Sequence, residues 1–134
     1  MDKKDNTYFL ACRQISKIAN SDLPLKKALN SIAKKSAKSM RAAGCSIMLL
    51  SPHKEHLFVI AAYGLSDTYI RKGVLNAYSS LPEIIEGEIS SITEITHDKR
   101  AQFPEEAEKE KINAILGVPL HQNGAVIEIG RAHV

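Results

Sequence analysis

Few side chains in this 134-residue sequence could do chemistry, and their spacing narrows the choice further. Cys45 stands between Gly44 and the apolar run Ser46-Ile47-Met48-Leu49-Leu50, where a thiol serves either as a nucleophile or as a small packing group, and Cys12 is the sole other cysteine. His53 and His56 form a His-x-x-His pair that approaches metal-ligand spacing on a helix. Pro52 before it and Lys54-Glu55 inside it point instead to an exposed turn, and no third ligand accompanies the pair, so no metal site is assigned. His97-Asp98 is placed in the loop after the third strand, near the mouth of any pocket, which makes His97 a candidate polar contact and no more. Glu105, Glu106, Glu108 and Glu110 are consecutive enough on a short helix to point in different directions, which suits a solvated face. There is no Gly-rich phosphate loop and no nucleophile elbow, and no catalytic residue is assigned.

Composition sets the frame for those side chains. With 44% hydrophobic, 25% charged and 5% aromatic residues, the chain has the proportions of one ordinary globular domain. Its apolar runs, such as Cys45 to Leu50 and Leu57 to Tyr63, fall well below the roughly 20 residues that a membrane span needs. No secretory signal is read at Met1 to Asn6, so a cytoplasmic location with reduced thiols is expected. The net charge of +3 is unevenly spread: residues 1–45 carry ten Lys/Arg against three Asp/Glu, and residues 46–134 carry eight against twelve. The lysines fall in pairs (Lys26-Lys27, Lys34-Lys35) among apolar residues with no interleaved aromatics, which reads as a solvated helix face rather than a nucleic-acid footprint.

The elements that must position any site follow from periodicity. Phe9, Cys12, Ile15 and Ile18 recur at helical spacing within Thr7 to Asn20. Asn20-Ser21-Asp22 breaks that helix and Asp22 is expected to cap a second, whose apolar set is Leu25, Ala28, Leu29, Ile32, Ala33, Ala37 and Met40, with Gly44 as its stop. The period then changes to that of strands. Cys45–Leu50 and His56–Tyr63 predict an antiparallel hairpin across a polar turn. A short helix through Thr68 to Lys72, capped by Ser66 or Asp67, follows and finishes at Gly73. Beyond it come a loop and one or two helical turns closing at Gly87, then a strand over Ile89 to Ile95. Pro104 opens a charged helix over Glu105 to Lys111. Ile115–Leu120 and Ala125–Ile127 form a second hairpin around Asn123-Gly124. The class is α+β, an antiparallel sheet covered by helices.

Several of these segments together resemble a known family. Gly44-Cys45-Ser46-Ile47-Met48-Leu49-Leu50, the strand Leu57–Tyr63 ending in Gly64-Leu65-Ser66, Gly87-Glu88, and Ile115-Leu116-Gly117-Val118-Pro119-Leu120 with Asn123-Gly124 are similar in order and spacing to a GAF domain, the small-molecule sensor module of bacterial histidine kinases, cyclases and transcription activators. The likeness covers Leu25 to Ile127. It implies a central antiparallel sheet with the two N-terminal helices on one face and a ligand pocket on the other, under the connecting segments. The Asn-Lys-Phe-Asp-Glu set of the cyclic-nucleotide-binding members is not found. The chain departs from the family pattern at Glu128-Ile129-Gly130-Arg131-Ala132-His133-Val134, which is what a common sequencing adapter encodes when read as GAG-ATC-GGA-AGA-GCA-CAC-GTC. The expected organisation is therefore an N-terminal helix over 1–22, an incomplete GAF-like domain over 23–127, and non-native read-through over 128–134, with any output domain absent.

The function expected from this reading is that of a non-catalytic sensory or regulatory module of a bacterial signalling protein. Its partners would be an unidentified small molecule and a second copy of the chain; no nucleic acid, membrane insertion or particular cofactor is assigned. Candidate pocket residues are Tyr63, Tyr69, Tyr78, Ser79, Ser80, His97, Leu116 and Val118. Candidate dimer residues are Phe9, Cys12, Ile15 and Ile18, an apolar stripe in excess of what one sheet face needs. Two alternatives accompany it: a purely structural dimerisation module, or a small redox enzyme using Cys45, as the resemblance to a GAF-type reductase of free methionine sulfoxide implies. That activity uses several cysteines around the pocket, and this chain offers Cys45 and the distant Cys12.

Overall fold

The computed structural model describes residues 3–133 except Pro52, Lys54, Val74, Leu81, Asn123 and Gly124, with side chains from Phe9 onward outside residues 121–129. The polar turn Pro52–Glu55 and the Asn123-Gly124 turn thus lie wholly or partly outside the described residues. Helix α1 (Lys3–Ala19) lies against α2 (Leu25–Met40). Ala28, Ala33 and Ala37 are the buried residues of α2, and their small side chains let this helix approach the sheet closely. The α2 N-terminus corrects the sequence expectation: the N-cap is Pro24, not Asp22, and makes no side-chain cap bond. The Ser21 hydroxyl, which donates to the Ile18 carbonyl at 2.6 Å and accepts from Leu23 N–H at 3.4 Å, organises that turn instead. At the other end Arg41 takes the left-handed conformation that stops the helix, and Gly44 is already the first residue of β1.

Six antiparallel strands follow: β1 (Gly44–Leu50), β2 (His56–Tyr63), β3 (Leu75–Asn76), β4 (Ser90–Ile92), β5 (Ile115–Gln122) and β6 (Ala125–His133), in the order β3-β2-β1-β6-β5-β4. The residues between them form α3 (Asp67–Ile70), α4 (Ala77–Ser80), α5 (Pro82–Ile85) and α6 (Pro104–Lys109), which roof one face of the sheet while α2 covers the other. β6 runs through residues 128–133, pairing Ser46 with Arg131 and Gly44 with His133.

Both faces of the sheet are apolar, and a bulge decides which residue goes where. The register of β1 on β2 shifts between Ile47 and Met48, so Ile47 opposes Ala61 while Met48 opposes Val59. Strict alternation along β2 predicts Leu57, Val59 and Ala61 on one side. The extra residue sends Ala61 to the helix face, with Cys45, Ile47, Ala33 and Ala37, and leaves Leu57 and Val59 under the roof with Met48, Leu50, Leu75, Ala77 and Ile84. A second roof cluster, Tyr69, Ile92, Ile95, Ala107, Ile112 and Ile115, closes the β4–β5 side.

Candidate functional site

The roof is hung from the end of β2. Gly64 has φ +75, and a Cβ there would come within 2.2 Å of the Ala43 carbonyl oxygen, so this position demands glycine twice over. Two residues on, the Ser66 hydroxyl caps α3 by accepting from Tyr69 N–H at 3.2 Å, and Ser66 N–H donates to Glu110 Oε2 at 2.8 Å, tying α3 to the end of α6. The Gly64-Leu65-Ser66 motif is thus a reversal, a spacer and a cap. It points the next helical turn back over the sheet, which buries Tyr69 and half-buries Lys72.

Polar groups gather beneath this turn. Gln102 Oε1 accepts from Asn76 N–H at 2.8 Å and from the buried Ser80 hydroxyl at 2.9 Å. Arg100 is held on three sides, donating to Asp98 Oδ2 at 2.6 Å, to Glu83 Oε1 at 2.8 Å and to the Ser91 carbonyl at 2.9 Å. Tyr69, Lys72, Ser80, Arg100, Gln102 and Phe103 wall a crevice whose free volume is about 10 Å³, room for one water molecule. Next to it, sharing Lys72 and Leu75, a groove of about 370 Å³ opens to solvent between Leu57 and Val59 of β2 and the segment Ile70–Gly73.

The electrostatics of the site are cationic. The Lys72 ammonium lies 3.8 Å from the Tyr69 ring centroid and 5.8 Å from that of Phe103. Burial, reinforced by the Arg131 charge and partly opposed by Glu106 and Glu110, lowers its pKa to about 8. Burial also raises the Tyr69 phenol above its ordinary value. Beside Tyr69, at 5.7 Å between ring centroids, His133 is buried and held well below the usual histidine range by desolvation and by the neighbouring cations Arg131 and Lys72. Among the described residues, Arg131 Nε and His133 Nδ1 are buried without a hydrogen-bond partner.

The residues singled out from sequence are dispersed. Tyr69 and Ser80 meet in the crevice. Tyr78 and Ser79 point to solvent on α4, and Tyr63 packs on the α2 side of the sheet, with the Lys34 ammonium 6.0 Å from its ring centroid. Leu116 is half-buried; Val118 is exposed and opposes Gly130, the neighbour of Ile47, on that same helix side. His97 is exposed beside Glu94 and Thr96 in a separate shallow depression of about 260 Å³. Lys72, Arg100 and Gln102, which complete the crevice, were missed; the i,i+3 spacing of Tyr69 and Lys72 is the signal that could have found one of them. Of the dimer candidates, Phe9 and Cys12 are exposed along α1, while Ile15 and Ile18 are half-buried.

The arrangement has counterparts among solved structures. The GAF domain of a phosphoenolpyruvate-protein phosphotransferase from Coxiella burnetii superposes with a TM-score of 0.80 over 98% of this chain and 79% of that one, at 19% identity. The fold is that of a GAF domain. The A. aeolicus nlh2 GAF domain in an inactive state is similar to the same degree, with a TM-score of 0.80 over 98% of this chain and 82% of that one, at 14% identity. A free methionine-R-sulfoxide reductase from Neisseria meningitidis, in complex with its substrate, matches over 99% of this chain and 75% of its own, at 12% identity and a TM-score of 0.73. No protein-family model and no curated protein matches the sequence.

The last of these neighbours bears on Cys45. In this GAF fold Cys45 faces α2, on the side of the sheet away from the crevice, and burial pushes its thiol up to about 11. A thiol so placed packs against α2, and its raised pKa disfavours the thiolate that a nucleophile needs. Cys12 is exposed on α1. No described helix is long and apolar enough to cross a membrane.

Proposed function

We propose that this chain is a non-catalytic sensory module of a bacterial signal-transduction protein, taking a small molecule between the sheet and its roof and passing the change to an output domain through its N-terminal helices. The observation that carries this reading is the crevice itself. The buried Ser80 and Tyr69 converge there with the more exposed Gln102, under roof helices of only four to six residues joined by loops. Such short elements open locally at small cost, so a crevice of about 10 Å³ is the closed partner of an open, ligand-holding arrangement. A ligand shifts the balance only by binding the open arrangement more tightly. Native mass spectrometry of protein purified from cells tests the reading: a retained small molecule, lost when Ser80→Val and Gln102→Leu fill the crevice, supports it. A clean spectrum together with an unchanged signalling output in those variants defeats it.

A second reading is favoured by the near-absence of free volume under the roof and by Phe9 and Cys12 on the open side of α1. In it the module is a homodimerising connector with no ligand. Light scattering distinguishes the two: a ligand-independent dimer abolished by Phe9→Glu is its signature.

A further inference from the structure

Among the described residues β3 pairs with His56 and Leu57 of β2, and no described strand pairs with the β2 edge beyond Leu57. The segment Ile70–Gly73 and residues 57–59 of β2 together line a groove of about 370 Å³. Its size is at the lower end of small-molecule sites. Leu57, Phe58, Val59, Ile70 and Leu75 make the apolar lining; Arg71 and Lys72 are the charged residues on it, with no carboxylate among the lining residues. Among the described residues neither cation forms an ion pair. The Lys72 ammonium donates to the Tyr69 carbonyl at 3.1 Å and lies over the Tyr69 ring, contacts that fix its position without neutralising its charge. Glu106 of α6 and Glu110 at its C-cap act on it and are outweighed, chiefly by desolvation.

We propose that this groove binds an amphipathic monoanion, a short- to medium-chain carboxylate, with its carboxylate on Lys72 and Arg71 and its hydrocarbon tail along Leu57, Val59 and Leu75. The inference deepens the sensory reading above, on which it rests, by naming the ligand class. The contacts it assigns to the ligand involve neither Arg131 nor His133, which lie in the segment expected from sequence to be adapter read-through. The physical ground is complementarity. A cation held in an apolar wall without a counter-ion gains most from an anion that brings its own apolar surface, because the tail covers the lining while the head pairs with the ammonium. Lys72 also borders the crevice, so a head group drawing on it acts directly on the roof.

The test uses the full chain at pH 7. Octanoate is titrated in while amide signals are followed by NMR, with 1-octanol and octylamine as neutral and cationic controls of equal length. Octanoate is expected to shift residues 57–59 and 70–75, octanol to bind about tenfold more weakly and octylamine more weakly still. Lys72→Met is expected to reduce octanoate affinity about tenfold and to leave octanol unchanged. Should that variant fail to fold, Arg71→Gln at an exposed position gives a loss of about threefold. Equal binding of octanoate and octanol, shifts located elsewhere, or affinity unchanged in the folded variants overturns the inference. A cell-derived small molecule retained in the crevice while octanoate is silent overturns it and leaves the sensory reading standing.

Discussion

The Lys72 ammonium rests 3.8 Å from the centre of the Tyr69 ring, and so couples a cation that borders the roof crevice to an aromatic side chain buried in it. The arrangement makes stability depend on pH. The folded-state value of Lys72 is about 8 against an ordinary 10.5, so folding disfavours its charged form. That penalty is complete below pH 8 and is relieved as pH rises toward 10.5. From pH 9 upward Cys45 works in the opposite direction, because its folded value of about 11 keeps a proton that the unfolded chain gives up. Between pH 8 and 9, urea denaturation should therefore show stability rising by less than about 1 kcal/mol, and Lys72→Met should flatten the rise.

The two cysteines should separate cleanly by reactivity. Cys12 is exposed and Cys45 is buried with a raised pKa. Iodoacetamide at neutral pH is expected to label Cys12 within minutes and to reach Cys45 only on unfolding. Fast labelling of Cys45 in the folded chain would revive the redox alternative.

Gly64 holds the reversal that launches the roof. Gly64→Ala forces a Cβ to within 2.2 Å of the Ala43 carbonyl oxygen at a positive φ, and should cost about 2–3 kcal/mol by thermal or urea denaturation. A loss below about 0.5 kcal/mol would mean that β2 can leave the sheet by another path.

Arg131 and His133 suit their surroundings poorly. β6 supplies the backbone pairing that β1 requires, but it buries a guanidinium nitrogen and an imidazole nitrogen without partners. We propose that these side chains are not native to the position, in line with the adapter-like residue sequence 128–134. Arg131→Leu is then expected to stabilise the chain by about 1–4 kcal/mol. His133 adds an acid weakness. Its folded value lies well below 6.5, so the unfolded chain takes up the proton first, and stability present above that pH declines as pH falls through it. An Arg131→Leu variant that is less stable would assign the guanidinium a role.

Much of this fold was legible because its strongest signals are local. The hairpins of β1 with β2 and β5 with β6, the Ser66 cap and the Gly87 stop are written in neighbouring residues. The missed features depend on distant parts of the chain. The bulge that parts Ala61 from Val59 appears only against β1, and the two-residue β3 exists only because β2 offers it an edge. Tyr63 looked like a pocket residue until that same bulge put it on the α2 side. The sequence mark of Lys72 is its i,i+3 spacing from Tyr69; the rest of its surroundings come from α6, β6 and the loop holding Phe103.

Amide hydrogen exchange over Asp67–Ile85 and Pro104–Lys109, measured with and without small-molecule extracts of cells, tests most directly whether the roof receives a guest. Exchange in these segments faster than in β1 and β6, and slowed there alone by some extract fraction, is the predicted result. Segments already as protected as the central strands and unmoved by every fraction would contradict it.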